Sequence, residues 1–559
     1  MDVAAAGVSA LDELSASIDA AAAAASSASP VASCLRYAAL LLQRYALAGD
    51  LADVDAAIGA AELAATKAGD DRRTRAIALN VLANARAAAF GARGGHAEIS
   101  AALAVQREAV ALLDTADPDR AALEANLVER LLAAHTLTPD PALVAEAVRL
   151  GEDILARDLP GDWRAAALDG LGRALRARHV HTGDRADLER SAAAQAQSLA
   201  LTPAAAPERA ARLNNLANAR WASYQSSGDL GDLDDAVARY QEAAGVATYP
   251  AARAACLLGL GSARWARWSR HRTGADLDAA VTAYEQALSE VEADSPTAAH
   301  CRLDLGAAFL ARWRDRGRPA DLDTAIDHWT SARTAAAAEP AVVGAATANL
   351  GAALWERYET RGDVGDLDAA VDLLRTDTPT PGRQFTLAGA LRRRHDLRGN
   401  PADRTEGLAG YRAACVAGLA SDPAVALAAG QRWGSWATVL GRLAEADEAY
   451  RTATAAALRL YARQATEAHV RVWLGEAVGL AAAQAWVQCR RDQAAAAVLT
   501  LERGRAYLLS EALSAPSAGA GSGVPLPPGA GAVVSPPAGA GVPRPAGAVA
   551  AGAASDSNW

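Results

Sequence analysis

The chain has few of the residues that build sheets or metal and redox frameworks. Only 5% of its 559 residues are aromatic, three are Phe and one is Met. Strand-rich folds draw on aromatic and β-branched residues, so a sheet protein is excluded at the outset. Five cysteines, Cys34, Cys256, Cys301, Cys415 and Cys489, lie far apart and form no CxxC pair. That argues against a zinc site and against a disulfide framework, and it leaves the thiols as small buried hydrophobes. There is no excess of positive charge: the formal net charge is −10. A protein that neutralises phosphates usually shows a basic face, so a nucleic-acid partner is unlikely on sequence grounds despite the cluster Arg392, Arg393 and Arg394. No long uncharged apolar run reads as a membrane span, and no GxxxxGK[ST] phosphate loop occurs. The N-terminus carries acids where a signal peptide would carry Lys or Arg, and a cytoplasmic location is expected.

What remains is alanine-rich and helical. Apolar residues make up 51% and charged residues 21%, and small residues in this quantity combine high helix propensity with close helix packing. Self-similarity decides the architecture. An Arg–aromatic pair, seven residues, and then Asp-Leu-x-x-Ala-Val recur in RWSRHRTGADLDAAV from Arg267, RWRDRGRPADLDTAI from Arg312 and RYETRGDVGDLDAAV from Arg357. The register acids are Asp53, Glu98, Asp187, Asp232, Asp276, Asp321, Asp366 and Asp403, at spacings of 45, 89, 45, 44, 45, 45 and 37 residues. The spacing of 89 hides one degenerate copy near Ala142 and Leu143. A ring lies eight residues before each acid: Tyr45, Phe90, His179, Tyr224, Trp268, Trp313, Tyr358 and His395.

Each repeat therefore reads as two helices. Helix A ends at the ring and carries a small residue at 217, 261, 306 or 351 where a neighbour can approach. Helix B begins at the register acid, which is expected to be its N-cap. A second acid (Asp234, Asp278, Asp323, Asp368) lies in the first turn, at the positive end of the helix dipole. Gly228, Gly274, Gly317, Pro319 and Gly362 break the chain between them. A pair of this size cannot bury its apolar face alone, so the fold class is all-α, a right-handed α-solenoid of stacked helix pairs. Four segments are expected: a helical cap over residues 1–29, about nine repeats over 30–424, a distinct helical block over 425–513, and a disordered Ala/Gly/Pro-rich tail over 514–559.

In the Leu-Gly-x-Ala phrase, the aromatic and the later Ala–aromatic–Ala pattern, the repeats resemble tetratricopeptide repeats with longer helices. Long repeats of this sort are similar to those preceding caspase-like CHAT domains in actinobacterial proteins. Leu-Glu-Arg-Gly-Arg-Ala-x-x-Leu at 501–509 resembles the helix that leads into such a protease domain. The resemblance implies a His and a Cys downstream. Residues 514–559 carry neither, so the catalytic part is expected to be missing or separately encoded.

No catalytic, metal or cofactor residues are expected. Cys415 and His469 stand in reversed order in separate helical segments. His179 and His181 in HVHTGD suggest a metal site only superficially, because His179 is the repeat's ring and His181 falls in the turn. The Arg before the ring (Arg44, Arg178, Arg267, Arg312, Arg357, Arg394) has two readings: pairing with an acid of its own or a neighbouring repeat, or clamping an acidic peptide. Binding residues usually break a repeat's regularity, which favours Asn214, Asn218, Trp221, Trp265 and Trp355 together with Arg312 on the expected concave face. Asn can hydrogen-bond both edges of an extended peptide, and Trp supplies anchor area, although Trp packing between helices explains the same positions. The expected function is a non-enzymatic protein or peptide scaffold, with the regulatory arm of a CHAT-type protease as alternative. Oligomeric state is not encoded in any motif.

Overall fold

The computed structural model describes residues 2–25, 30–93, 95–335, 340–375, 379–462 and 467–514. The expected disordered tail lies outside the described residues. Among the described residues there are 23 helices and no strand. After α1 (Asp2–Ala25) come α2 (Pro30–Ala48), α3 (Leu51–Lys67), α4 (Arg72–Arg93), α5 (His96–Leu112), α6 (Arg120–Leu137), α7 (Pro141–Leu155), α8 (Gly161–Thr182) and α9 (Arg185–Ala200). Next are α10 (Arg209–Ser227), α11 (Leu230–Val246), α12 (Pro250–His271), α13 (Gly274–Ser289), α14 (Pro296–Arg316) and α15 (Pro319–Ala335). The repeats close with α16 (Pro340–Arg361), α17 (Val364–Leu374), α18 (Pro381–Arg398) and α19 (Pro401–Ser421). Four more helices follow: α20 (Pro423–Val439), α21 (Leu443–Ala462), α22 (Glu467–Arg490) and α23 (Ala494–Ser514). From α2 to α19 the even-numbered helices are the A helices and the odd-numbered ones the B helices. The chain divides into two compact units, N-terminal up to Ala308 and C-terminal from Phe309, with the boundary inside α14.

The turn between A and B is built the same way in seven repeats. Four residues after the ring a residue adopts left-handed φ, at Gly49, Gly183, Gly228, Arg272, Gly317, Gly362 and Gly399. Its N–H bonds the ring residue's carbonyl, for example Gly228 to Tyr224 at 2.7 Å and Gly362 to Tyr358 at 2.7 Å. Glycine reaches this conformation without a Cβ penalty. Gly274, expected to break the chain, is instead the first residue of α13, and Arg272 (φ 55°) takes the strained position with its guanidinium 4.7 Å from the Trp268 ring centre.

Helix B is capped three residues earlier than the sequence suggested. Asp50, Asp140, Asp184, Asp229, Asp363 and Asn400 are the N-caps, each side chain accepting the N–H two residues on. The register acid is displaced because it has another partner, the Arg nine residues before it. Arg44–Asp53, Arg178–Asp187, Arg312–Asp321, Arg357–Asp366 and Arg394–Asp403 are two-pronged, Nε and Nη2 each meeting one carboxylate oxygen at 2.5 to 3.1 Å. Arg267 meets Asp276 at 2.5 Å, and Thr273 donates to the other oxygen at 2.8 Å. These carboxylates are buried, which only a partner of this geometry compensates.

The second acid also has a role beyond the dipole. Asp234 accepts from Arg267 of the following repeat at 3.1 Å, Asp323 from Arg357 and Arg361 at 3.1 and 2.7 Å, and Asp368 from Arg398 at 2.8 Å. The repeated Arg therefore ties helix A to its own helix B and to the preceding repeat. Of its two readings, the structural one holds wherever these pairs occur.

Packing follows the small residues. Ala217 is fully buried, and a Cβ on Gly261 would lie 2.4 Å from the Tyr284 ring of the following B helix. Ala280, Val281, Tyr284 and Ala287 form the buried stripe of α13. Four cysteines are buried in such stripes; Cys489 is exposed, against the expectation for all five.

Candidate ligand-binding face

Successive A helices of the N-terminal unit touch directly, α4 with α6, α6 with α8, α8 with α10 and α10 with α12. Residues ten, six and three before the ring share one stripe of helix A, at spacings of four and three. In α10 these are Asn214, Asn218 and Trp221, all half-buried. Asn218 accepts a hydrogen bond from the Tyr240 hydroxyl of α11 at 2.7 Å. Trp221 leans on Tyr224 with ring centres 5.6 Å apart, and in α12 Trp265 leans on Trp268 at 5.0 Å. Each Trp thus joins the packing on one side and remains half-buried rather than sealed.

Arg312 and Trp355 belong to the C-terminal unit. Arg312 is committed to Asp321 at 2.8 Å, with its guanidinium 4.6 Å from the Phe309 ring centre. Trp355 stacks on Tyr358 at 5.8 Å beside Gly389. The structure therefore gathers Asn214, Asn218, Trp221 and Trp265 on adjacent helices and places Arg312 in the scaffold pair.

The same stripe one repeat earlier holds residues the sequence reading passed over. In α8, the positions ten, six and three before His179 are Asp169, Arg173 and Arg176. The degenerate repeat also has a ring, His135, whose Nδ1 lies 3.1 Å from the Asp140 carbonyl, as His179 and His395 sit 2.7 and 2.8 Å from Asp184 and Asn400. Counting back from it puts Glu129 on the stripe, with Arg130 and Asn126 alongside. In α4, Asn80 and Asn84 complete the row.

These side chains form a connected layer. Asn80 Oδ1 accepts from Gln106 at 2.9 Å and from Asn126 at 2.8 Å, and Asn84 Oδ1 accepts from Arg130 Nη2 at 2.6 Å. Glu129 pairs with Arg173, and Asn215 donates to both Asp169 oxygens at 2.9 and 3.2 Å. Helix B residues reach through gaps left by glycine. Gln195 passes the Gly172 backbone to donate to the Asp169 carbonyl at 2.8 Å, and the Tyr240 ring fills the place a Cβ on Gly259 would need.

The layer carries more guanidinium than carboxylate. Arg173 is held above the usual arginine range: burial opposes its charge, and Glu129 and Asp169 outweigh that. Burial raises the Asp169 carboxyl, and Arg173 partly offsets it. Arg130 is pushed down to about 10 by burial and by Arg173, and Arg176 is lowered for the same two reasons. Among the described residues Arg176 donates no hydrogen bond and forms no ion pair, and Arg130 Nε, Gln106 Oε1 and Gln195 Oε1 are buried without a partner. Buried donors and acceptors in that state cost stability.

Comparison with known proteins adds the following. No protein-family model matches the chain, and no curated protein matches it. Among solved structures, a kinesin light chain with TPR-like repeats from Podosopora anserina is 20% identical, covering 40% of this chain and 99% of its own, with a TM-score of 0.30. A Rap protein complexed with competence and sporulation factor is 12% identical over 71% of this chain and 100% of its own, TM-score 0.38. The human IFIT1 dimer with PPP-AAAA is 12% identical over 86% of this chain and 91% of its own, TM-score 0.37. The repeat is tetratricopeptide-like. That statement rests on the helix pairs themselves, with a small residue in helix A under an aromatic of helix B. Among the described residues no group of three metal-ligating side chains occurs, and no helix is long and apolar enough to cross a membrane.

Proposed function

We propose that the chain is a non-enzymatic scaffold that binds an extended protein or peptide segment along the A-helix face of the N-terminal unit, with an acidic group of that segment seated at Arg176. One observation carries this reading: among the described residues the Arg176 guanidinium has no hydrogen-bond or ion-pair partner, and on the neighbouring helix α6 Arg130 Nε is buried without one. A carboxylate is the planar two-oxygen acceptor a guanidinium matches best. Asn214 and Asn218 supply donors and acceptors for a peptide backbone, and Trp221 and Trp265 flank them as apolar anchors. Glu129 and Asp169 in the same layer disfavour a continuous phosphate chain, as does the net charge of −10. In the C-terminal unit Trp355, beside Gly389, is the corresponding apolar anchor.

The test is selection from a displayed library of random peptides on the full chain, followed by affinity measurement. Enriched peptides are expected to carry Asp or Glu next to an apolar residue. Arg176→Gln and Trp221→Ala should each weaken the best peptide at least about tenfold. Failure to enrich any peptide, or affinity indifferent to both substitutions, rejects the proposal. Tighter binding of single-stranded RNA than of any peptide also rejects it.

A second reading, the regulatory arm of a CHAT-type protease, is favoured by the surface of the last helices. Trp486 on α22 and Val498, Leu499 and Leu501 on α23 are 41 to 60% exposed, large apolar side chains of the kind another domain covers. Reading the coding DNA downstream for a caspase-like His and Cys decides it.

A further inference from the structure

His135 and His181 stand one repeat apart, in the last turns of α6 and α8. Their Nε2 atoms are 3.2 Å apart and their ring centres 4.9 Å apart, at an interplanar angle of 77°. We infer that the two imidazoles form a chelating site for a late first-row divalent cation, with Zn2+ as the reference ion.

Three features of the geometry support this. Two ring nitrogens bound to one ion at about 2.05 Å with a near-tetrahedral angle lie about 3.3 Å apart, with ring centres about 5.2 Å apart. A collinear N–H···N hydrogen bond of the observed length would instead put the ring centres about 5.5 Å apart. The observed pair, at 3.2 and 4.9 Å, lies nearer the first arrangement. His135 Nδ1 lies 3.0 Å from the Asp140 N–H, which donates to it, and 3.1 Å from the Asp140 carbonyl; the tautomer with its proton on Nδ1, facing that carbonyl, is the one that frees Nε2 to coordinate. Both rings sit at helix C-termini, where the peptide dipoles favour a cation.

Imidazole suits Zn2+, Cu2+ and Ni2+, with copper the tightest of the series. No third His, Cys, Asp or Glu joins the pair among the described residues, so water completes the shell and the site stays open. His179, the neighbour in sequence, points elsewhere, to the Asp184 carbonyl at 2.7 Å. The chelate would link two successive A helices at the end of the polar layer.

The experiment titrates zinc chloride into the full chain by calorimetry, in a Cys489→Ser background because that thiol is exposed. One site per chain is expected. His181→Gln and His135→Gln should each weaken it at least about tenfold, and the double variant should lose no more than either single. His181 is exposed, so its metal-free variant should melt as the parent does, which separates loss of ligand from loss of fold. Electron paramagnetic resonance of the Cu2+ complex should show two coupled nitrogens in the parent and one in His181→Gln. A zinc titration unchanged by His181→Gln overturns the inference. Additive losses in the two single variants, the mark of independent histidines, also overturn it.

Discussion

The A-helix faces of the two compact units share a scaffold and differ in chemistry. In the N-terminal unit the stripe reads Asp169, Arg173, Arg176 in α8 and Asn214, Asn218, Trp221 in α10, and the B helices insert Gln195 and Tyr240 behind it. In the C-terminal unit the same positions read Ala348, Ala352, Trp355 in α16 and Phe385, Gly389, Arg392 in α18, backed by Leu374 and Tyr411. Arg–Asp pairs and left-handed turns occur in both. The positions that repeat evenly hold the helices together, and the positions that vary set what each face can bind. Arg392 shows the contrast within one residue type: it stands 5.7 Å from the Trp436 ring centre and 4.0 Å from Asp396, whereas Arg176 has no such support.

The largest effect is expected where the shared scaffold is cut. Arg394→Ala would leave the Asp403 carboxylate, 2% exposed, without its cation, at a cost of about 3 kcal/mol. The chain itself suggests the rescue. The degenerate repeat has Ala134 and Leu143 at the two positions, so Arg and acid are missing together. Arg394→Ala combined with Asp403→Leu should therefore recover more than half of the loss, measured by urea denaturation. A double variant as unstable as the single one would show that the pair does more than satisfy its own charges. Two other repeats without the Arg follow different routes: Arg220 reaches Asp232 from one turn back at 3.1 Å, and Glu98 Oε2 stays buried without a partner.

A smaller effect is expected from Asp304 of α14, in the N-terminal unit. Burial pushes its carboxyl up to about 6, and His300 opposes that only in part. An acid whose folded pKa lies above its unfolded value favours folding below the unfolded value and loses that advantage as pH rises through the folded one. Wild-type stability should thus fall between about pH 4 and 6 relative to Asp304→Asn, leaving the variant roughly 2 kcal/mol more stable at pH 7.5. The two should coincide near pH 3. Parallel curves across that range would mean that the carboxyl titrates normally in the fold.

The sequence made the scaffold legible because its residues recur. Helix pairs, rings, small residues and the acid register could be read from spacing alone. The register acid was misassigned as a cap because a first-turn Asp satisfies the same composition rule; only the Arg nine residues earlier, across the turn, reveals its partner. The face is legible where Asn and Trp stand out, at Asn214, Asn218 and Trp221 in α10, Trp265 in α12 and Trp355 in α16, with Arg312 of α14 added to them. Applying the same count to α8 would have found Arg173 and Arg176. What no count supplies is pairing state: Arg312 and Arg176 are the same residue type near the same ring, and one is bound twice to Asp321 while the other is unpaired. His135 is not recognisable from spacing as a ring because its repeat has lost both Arg and acid, so the register marks no position for it.

The smallest predicted effect tests the comparison most directly. If Arg176 is kept for a ligand, it is a liability in the unbound fold, since its half-buried charge has no acceptor and Arg173 repels it. Arg176→Leu should then raise stability by about 1 kcal/mol while weakening peptide binding. Arg392→Leu, at the equivalent place in α18, gives up the contact with Trp436 and should lower stability by about 1 kcal/mol. Opposite signs in the two urea midpoints would separate a binding position from a packing one at a single site of the repeat. A loss in both would assign Arg176 to the scaffold and move the search for a ligand to the Trp221–Trp265 side of the face.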